Sequence, residues 1–339
     1  MTHWKAMSIV GAVASSLLFA GTVTAQDFNW RIQSNVQAGE PGYVALERFA
    51  EIVEDMSAGQ MTMQVFPVDA IYPVVDGLDA IGGGVIEAGM LTGAIYTGQI
   101  GPFGTLETGV PGSLRTPVER YSFFYHGGFL ELCQEAFEPF NIHYLGPQLS
   151  SGWDLVSTKP IRGPEDFDGL RIRSYGVEAE WFSSMGASTV FFGGGEIYTN
   201  LATGVVDAAR WASPAGNYNN SFQEVAKYYI QPSTIAAPNN FFAVNRGAWE
   251  QLPDDLKAIL EQAAIISSLE YVSLAGMKDA QALTKMQEAG MEVIHIDPAV
   301  WSEMEAKARG YWRAYADQDD LSKRGVEMLD AFLAELGRS

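Results

Sequence analysis

The sequence predicts an α/β fold with two lobes, a ligand cleft between them and one long helix that crosses both. Three observations lead to this prediction. The chain of 339 residues is long enough for two domains. It opens with a strand–helix–strand pattern, and one helical pattern near its end is longer than a single domain needs. We find no linker-like, repetitive or low-complexity segment, as expected where two lobes share interleaved segments.

The opening pattern is a strand, a helix and a second strand. Residues 28–34 are the first predicted strand, and residues 61–66 alternate in the manner of a second. Between them, apolar residues recur at helical spacing from Leu46 to Met56 before Gly59 ends the helix. Because a strand–helix–strand unit joins parallel strands, this opening favours a parallel sheet with helices on its faces.

The long helical pattern runs from Pro253 to about Ala289, with a bend predicted at Gly276. At 1.5 Å per residue such a helix would span roughly 55 Å, enough to reach across two lobes. The predicted division is a signal peptide at 1–25, lobe I at 26–149 plus 239–277, and lobe II at 150–238 plus 278–339.

Shorter elements fill the rest of the chain. Thr116, followed by Pro117 and Glu119, is a typical helix start, because threonine caps a helix and proline suits its first position. The other predicted helices cover 75–81, 177–185, 196–202, 326–336 and the residues after Asp297; the other predicted strands cover 143–145, 154–157, 170–173, 189–192 and 205–211.

The charge of the chain argues against nucleic acid as a partner. Its net charge is −20, from 21 basic and 41 acidic residues. Such a chain repels a phosphate backbone unless a basic stripe overcomes the repulsion, and the sequence has none. An anionic ligand would therefore need a few locally placed arginines.

The N-terminus has the pattern of a cleavable signal peptide. Lys5 precedes an apolar run over residues 6–20, and Val23-Thr24-Ala25 ends the run in small residues. The run is short for a membrane span, although an uncleaved anchor is the alternative interpretation. We expect the chain to be exported.

Motifs of known catalytic sites are missing from the sequence. It has no Gly-x-Ser-x-Gly elbow and no phosphate-binding loop with Gly-Lys-Ser/Thr. The glycine run 193–195 lacks dinucleotide-binding spacing, and the histidines lack metal-ligand spacing. No residue pattern therefore favours an enzyme.

Two arginines stand at the end of a predicted strand. Arg171 and Arg173 are two residues apart, so they point to the same face, and Ser-Tyr-Gly follows them at the edge where α/β proteins bind ligands. The planar guanidinium can grip a carboxylate with two parallel hydrogen bonds. In a chain with so few basic residues, this pair is the first candidate for an anion site.

Three segments around these arginines carry a family resemblance. They are Gly169-Leu170-Arg171-Ile172-Arg173-Ser174-Tyr175-Gly176, then Gly193-Gly194-Gly195-Glu196-Ile197-Tyr198, then Leu201-Ala202-Thr203-Gly204-Val205-Val206-Asp207-Ala208-Ala209-Arg210-Trp211. The block resembles the DctP-like substrate-binding subunits of TRAP transporters. In that family a Gly-Leu-Lys-Ile-Arg strand ends in a carboxylate-clamping arginine, and a Gly-Gly-Glu-Ile-Tyr segment leads to a second ligand-contacting strand.

The resemblance covers nearly the whole mature chain and implies both a fold and a function. The fold is the two-lobed one of periplasmic binding proteins. The implied function is the capture of a small organic anion in the periplasm and its delivery to TRAP membrane permease subunits by a protein that we expect to be a monomer. A periplasmic enzyme or a sensory ligand-binding protein on the same fold is the alternative.

The resemblance also implies site residues. Arg173 takes the place of the clamping arginine, with a structural salt bridge as the alternative. Trp211 takes the place of the residue that lines the cleft, and Trp153, near the first crossing between lobes, is a candidate for stacking on the ligand. Core packing is the alternative for both tryptophans. The weaker candidates for polar or apolar contacts are Ser34, Tyr96 and, after the return crossing, Asn239, Asn240 and Phe241.

One departure from the family bears on metals and on charge. Members that bind 2-oxo or 2-hydroxy acids through a metal ion have an acidic residue just before the tryptophan, where this chain has Arg210, and their upstream amide ligand has Leu149 near its place. Because a cation beside Arg210 would be repelled, we expect no metal and no other cofactor. Arg210 instead becomes a candidate second positive charge for the ligand, unless it pairs with a nearby acid.

Overall fold

The computed structural model describes Met1 and residues 27–338. Within this part of the chain the strands form two mixed sheets with helices on their faces. The predicted signal peptide, apart from Met1, lies outside the described residues. The strands are β1 Phe28–Gln33, β2 Met61–Phe66, β3 Ala88–Leu91, β4 Ile142–Leu149, β5 Trp153–Ser157, β6 Arg171–Arg173, β7 Ser188–Val190, β8 Ala208–Arg210, β9 Tyr228–Ile235, β10 Asn239–Asn245 and β11 Glu292–His295.

The first sheet has the strand order β2-β1-β3-β10-β4. β1 pairs in parallel with β2 and with β3, which confirms the parallel opening that the sequence predicts. β10 runs antiparallel to both of its neighbours, β3 and β4. One face of this sheet packs on α1, Pro41–Met56, through a core that contains Phe49 and Val53.

The second sheet has the strand order β11-β9-β5-β8-β6-β7. β6, the strand that ends in Arg173, lies in parallel between β7 and β8. β5 is antiparallel to β8 and β9, and β11 returns in parallel beside β9. The two sheets contain different parts of the chain, as expected for two lobes.

The chain passes between the two sheets at residues 150–152 and again at residues 236–238. These crossings lie side by side, since the Ser150 N–H donates to the Pro238 carbonyl at 3.2 Å. A third connection between the two sheets is a single long helix, residues 254–288. The two sheets are therefore joined at these crossings, and a cleft lies between them.

Helices cover the faces of both sheets. After α1 they are α2 Gly77–Gly82, α3 Thr97–Ile100, α4 Phe103–Thr108, α5 Pro117–Tyr125, α6 Phe129–Phe137, α7 Gly176–Ser184, α8 Ile197–Ala202, α9 Pro214–Asn219, α10 Arg246–Glu250, α11 Asp254–Glu288, α12 Pro298–Arg313 and α13 Asp320–Glu335. Thr116 caps α5 as predicted, because its side chain accepts from the Glu119 N–H at 3.1 Å.

The predicted long helix is α11, which is continuous over 35 residues and passes through Gly276 without a break. Its first half packs on the first sheet through Leu256 and Leu260. Near its end, Met286 packs into a core of the second sheet. By length and composition alone α11 could also span a membrane, but these contacts make it a core helix that both lobes share.

The predicted lobe boundaries need one correction at the C-terminal end. The sequence division assigns residues 278–339 to lobe II. α12 does pack on the second sheet, through Trp301 and Met304. α13 instead packs against α4 and α6, and its Val326 and Leu329 join the core around Phe103. The chain thus returns to the first lobe, because the apolar face of α13 finds its partner there.

Candidate functional site

A cleft lies between the two sheets, and polar and aromatic residues from both lobes line it. It encloses about 950 Å³ of non-protein space, open solvent included. The wall from the first lobe contains Asn35, Glu40, Thr92, Gln148 and Asn240. The opposite wall contains Trp153, Arg173, Tyr175, Trp211 and the glycine run 193–195.

Arg173 is held rigidly in the second wall. It is the last residue of β6 and only 2% exposed. Its Nε and Nη2 donate to the Phe192 carbonyl at 3.2 and 3.1 Å, and its Nη1 donates to the Arg210 carbonyl at 3.0 Å. The guanidinium carbon lies 5.0 Å from the centre of the Trp211 ring and 5.2 Å from that of Tyr175. Neutral carbonyls and aromatic rings therefore fix the orientation of this cation.

The charge of Arg173 has no acidic partner among the described residues, since no carboxylate lies within ion-pair distance. Burial lowers the pKa of its guanidinium to about 10, and the nearby charge of Arg210 acts in the same direction. A pKa of about 10 still leaves the group charged at neutral pH. A buried charge without a counter-ion is costly, so an anion in the cleft would be stabilised here.

Arg171, two residues earlier on the same strand, has a different environment. Its side chain is 50% exposed and pairs with Asp207, with Nε 3.0 Å from Oδ2. The hydrogen bond from Arg171 holds the pKa of the Asp207 carboxyl well below its usual range, and Lys159 acts in the same direction. This pair ties β6 to the segment before β8, and Arg171 does not line the cleft.

Arg210 does not supply a second charge to the cleft, which corrects the prediction made from its position beside Trp211. It is buried behind the wall, with Nε 2.6 Å from Oε2 of the buried Glu178. Its Nη1 donates to the Tyr175 hydroxyl at 3.1 Å, and its guanidinium lies over the rings of Tyr175 and Trp153. Burial opposes the charge, but Glu178 and Tyr175 together outweigh burial and raise the pKa of Arg210. The alternative interpretation, pairing with a nearby acid, is the one that the structure supports.

Both predicted tryptophans lie on the cleft wall, and their contact with a ligand stays a prediction. Trp211 packs directly on Gly194, where an added Cβ would overlap its indole ring. Glycine is therefore required at position 194, where the backbone approaches the indole closely, whereas the sequence shows only three successive glycines.

Of the weaker candidates, Asn240 lines the cleft and the other four do not. Ser34 is buried and accepts from the Val36 N–H, and the Tyr96 hydroxyl donates to the Val74 carbonyl at 2.6 Å. The Asn239 amide donates to Glu107 at 2.6 Å inside the first lobe, and Phe241 packs against Tyr144 in the core. We correct these four assignments, because each side chain points into the lobe rather than into the cleft.

Each of the four has a neighbour in the sequence that lines the cleft. Asn35 follows Ser34, Ile95 precedes Tyr96, and Asn240 lies between Asn239 and Phe241. For Asn239 and Asn240 the reason is the pleat of β10, since successive side chains of a strand point to opposite faces.

Glu40 is a cleft residue that the sequence did not reveal. It lies just before α1, is 6% exposed and accepts from the Gln37 N–H at 3.2 Å. Burial raises the pKa of its carboxyl, while nearby hydrogen-bonding groups of Gln37, Asn220 and Trp211 oppose the rise. Because Asn220 and Trp211 belong to the second lobe, Glu40 is a point where the two walls meet.

The described residues offer no ready metal site. Among them, no group of three His, Cys, Asp or Glu side chains could hold a metal ion. Next to Trp211, the paired Arg210 and the apolar Ala212 provide no anionic ligand. The absence of a metal from the natural complex stays a prediction.

Comparisons with known proteins agree with this architecture. A family model described as "Bacterial extracellular solute-binding protein, family 7" (DctP) matches residues 32–319. The chain is 25% identical over 310 residues to a monocarboxylate 2-oxoacid-binding periplasmic protein of Nostoc sp., covering 91% of this chain and 84% of that one. It is 25% identical over 342 residues to the C4-dicarboxylate-binding periplasmic protein DctP of Rhodobacter capsulatus, covering 96% of each.

A solved structure shares the fold. A TRAP transporter solute-binding protein from Bordetella bronchiseptica, described with calcium and picolinate in its active site, superposes with a TM-score of 0.84 at 22% identity. The match covers 92% of this chain and 93% of the other. The two-lobed fold that the sequence predicts is thereby confirmed.

Proposed function

Because the chain belongs to the bacterial extracellular solute-binding proteins of family 7, we propose that it captures a small organic acid in the cleft and delivers it to TRAP membrane permease subunits. The observation that carries the proposal is Arg173, a buried cation on the cleft wall with no acidic partner among the described residues. Both relatives described above are named for carboxylates, which supports an acid as the ligand.

Arg173 retains the donors that a carboxylate needs. A guanidinium has five N–H groups, one on Nε and two on each Nη. The carbonyls of Phe192 and Arg210 take up Nε and one N–H on each Nη. One N–H on Nη1 and one on Nη2 remain for other acceptors. Arg173 thus combines a fixed orientation with donors that an oxyanion could use.

The cleft is built to close around a ligand. Its two walls come from the two lobes, and Glu40 on one wall lies beside Trp211 on the other and near Asn220 of the second lobe. When the lobes close, water leaves and the local dielectric falls, so hydrogen bonds to a charged ligand become stronger. A ligand that favours the closed form shifts the population toward that form. We propose that the permease subunits bind the closed form.

The remaining parts of the proposal concern where the protein works, its oligomeric state and the fate of its ligand. With its predicted signal peptide at 1–25, the protein works in the periplasm, as a monomer and without a cofactor. It binds rather than transforms its ligand, so a candidate acid should be recovered unchanged from the complex. Turnover of that acid would favour the alternative of an enzyme.

A thermal-shift screen tests the proposed function. Purified mature protein is mixed with mono- and dicarboxylates, sugar acids, sulfonates, amines and neutral sugars, each with and without EDTA. At roughly a hundredfold excess over its dissociation constant, a binder should raise stability by on the order of 3 kcal/mol. We expect acids alone to raise the melting temperature, with no effect of EDTA. Stabilisation only by amines or neutral sugars would contradict the proposal.

A further inference from the structure

An exposed aromatic ring, that of Phe191, lies beside Arg173 on the cleft wall. Phe191 directly follows β7, is 38% exposed and lines the cleft. The centre of its ring lies 5.2 Å from the guanidinium carbon of Arg173, and it meets the Tyr175 ring edge to face, with 5.3 Å between the centres. A carboxylate on a guanidinium lies less than about 3 Å from the nitrogens. The Phe191 ring is therefore within reach of the carbon atoms attached to a carboxylate that binds Arg173.

Apolar surface faces the cleft from both lobes. Phe192 packs into a core of the second lobe, so the preceding ring, Phe191, is the one left to the cleft. On the first-lobe wall, the half-buried side chains of Val36, Val74 and Ile95 line the same cleft. Ligand sites are mostly apolar with a few placed polar groups. This cleft follows that pattern, and its apolar surface begins next to the cation.

The cleft has one positive charge to offer. Among the described residues that line it, Arg173 is the one basic side chain. Arg171 and Arg210 are both paired with acids outside the cleft. The acidic side chains of the lining are Glu40 and Asp69, both on the first-lobe wall. A second carboxylate on the same ligand would therefore lose its water without gaining a cation, which is costly.

The polar side chains of the first-lobe wall bond to one another. The Asn35 Nδ2 donates to the Thr92 hydroxyl at 2.7 Å and to the Asn240 Oδ1 at 2.9 Å. The Thr92 hydroxyl donates to the Asn240 Oδ1 at 2.8 Å. The Asn240 Nδ2 donates to the Gln148 Oε1 at 3.3 Å, and the Gln148 Nε2 donates to the Leu149 carbonyl at 3.0 Å. A ligand rich in hydroxyl groups would compete with these bonds, whereas an apolar ligand leaves them intact.

We infer that the natural ligand is a monocarboxylate with an apolar body, whose carboxylate binds Arg173 while the body packs on Phe191. This inference rests on the proposed function and makes Phe191 a specificity-determining residue. A dicarboxylate would bring a second charge to a cleft that has no second cation for it. A sugar acid would place hydroxyl groups against the apolar surface. Both should bind more weakly than an apolar acid of the same length.

Matched acids test the inference on the native protein. Calorimetric titrations compare propionate, butyrate, valerate and hexanoate, then the diacids succinate, glutarate and adipate, and finally gluconate, which is hexanoate with five hydroxyl groups. Each buried methylene should tighten binding by up to about fourfold. We expect hexanoate to bind at least about tenfold more tightly than propionate. We also expect each monoacid to bind at least about tenfold more tightly than the diacid of equal carbon number, and hexanoate than gluconate.

The variant Phe191→Ala tests the residue. It should reduce the ratio of hexanoate to propionate affinity to about threefold or less, while the affinity for propionate stays within about threefold of native. Phe191→Leu keeps an apolar side chain and should keep most of the native ratio. The matched control is Val190→Ala, at the adjacent apolar residue, which is 45% exposed and does not line the cleft. The control should retain the native ratio.

The outcomes separate this inference from the proposed function. If Arg173→Met abolishes acid binding but the native protein prefers a diacid or gluconate to the matched monoacid, the inference is wrong and the proposed function stands. A native ratio in a folded Phe191→Ala protein, judged by circular dichroism, would also overturn the inference. If none of these acids binds, or Arg173→Met binds them normally, the proposed function itself is contradicted.

Discussion

Arg210 and Glu178 form a buried ion pair directly behind the cleft wall that holds Arg173, with Nε of Arg210 2.6 Å from Oε2 of Glu178. The Arg210 carbonyl accepts from Arg173 Nη1, so the two arginines are linked through the backbone. One arginine is thus neutralised inside the protein while the other keeps its charge for the cleft. Under the proposed function, this arrangement leaves one arginine charge available to an anion in a chain whose net charge is −20.

The Glu178→Gln variant should lose a large part of the protein's stability. Removing one partner of a buried ion pair leaves the other charge uncompensated, at a cost of about 3–5 kcal/mol. Urea denaturation of the ligand-free protein measures this loss. The matched control is Glu180→Gln on the same helix, where the side chain is exposed and glutamine can still accept from Tyr315. The control should lose less than about 1 kcal/mol, and equal losses in both variants would contradict the role of the pair.

The Gly194→Ala variant should weaken ligand binding by displacing Trp211. The added methyl group overlaps the indole ring, so the ring or the glycine run must move. We expect an affinity loss of about tenfold or more, because small displacements of a binding group are costly, together with a shift in tryptophan fluorescence. The control Gly276→Ala places its methyl in open space on α11 and should leave the affinity unchanged. Native affinity in Gly194→Ala would show that the position of Trp211 is irrelevant.

Gly276→Ala should itself stabilise the protein. Gly276 is exposed in the middle of α11, and alanine is favoured over glycine in a helix interior by about 1 kcal/mol. The free energy of unfolding from urea titration should rise by about 0.5–1 kcal/mol. A loss of stability would mean that α11 needs a hinge at this position, as the sequence interpretation proposed.

Stability should fall as the pH rises through neutrality, because of Glu107. This carboxyl is fully buried, and burial raises its pKa to about 7, against hydrogen bonds from Tyr144 and Asn239. In the unfolded chain the group ionises near pH 4.5, so between about pH 4.5 and 7 the folded protein holds a proton that the unfolded chain has lost. Stability therefore decreases over this range, by on the order of 3 kcal/mol.

Urea titrations from pH 5 to pH 8 measure this dependence. The Glu107→Gln variant removes the titrating group and should flatten the curve, although Asp154, whose pKa burial also raises to about 7, contributes a slope of its own. The exposed Glu131→Gln serves as the control and should keep the native curve. If Glu107→Gln and the native protein give the same slope, Glu107 does not titrate as described.

The sequence predicts the helices and strands whose apolar residues recur with a clear period, and it misses strands that lack such a pattern. β2 alternates and α11 follows a helical pattern, so their predicted bounds agree with the structure within two residues. β10 has seven buried residues in succession and β3 has four. A strand buried on both faces shows no alternation, so neither could be told from a core helix.

The site was predictable only in part, for a geometric reason. Arg173 and Trp211 were predicted from a strand end and a family pattern, and Trp153 from its place at the first crossing between lobes. All three line the cleft, and their contact with a ligand stays a prediction. Arg210 was misjudged, because its partner Glu178 lies 32 positions earlier and only the packing of α7 brings it close. Asn35 and Glu40 carry no local signal, since their meaning arises from contacts with distant segments.

The most direct test of the account is a calorimetric titration of the tightest acid from the screen against three proteins: native, Arg173→Met and Arg171→Met. The account predicts that Arg173→Met loses at least about 30-fold in affinity, as expected when a buried charge loses its partner, without loss of ligand-free stability. Arg171→Met, which removes an exposed arginine from the same strand, should stay within about threefold of native. Native-like binding by Arg173→Met, or equal losses in both variants, would contradict the central claim that this buried cation holds the ligand.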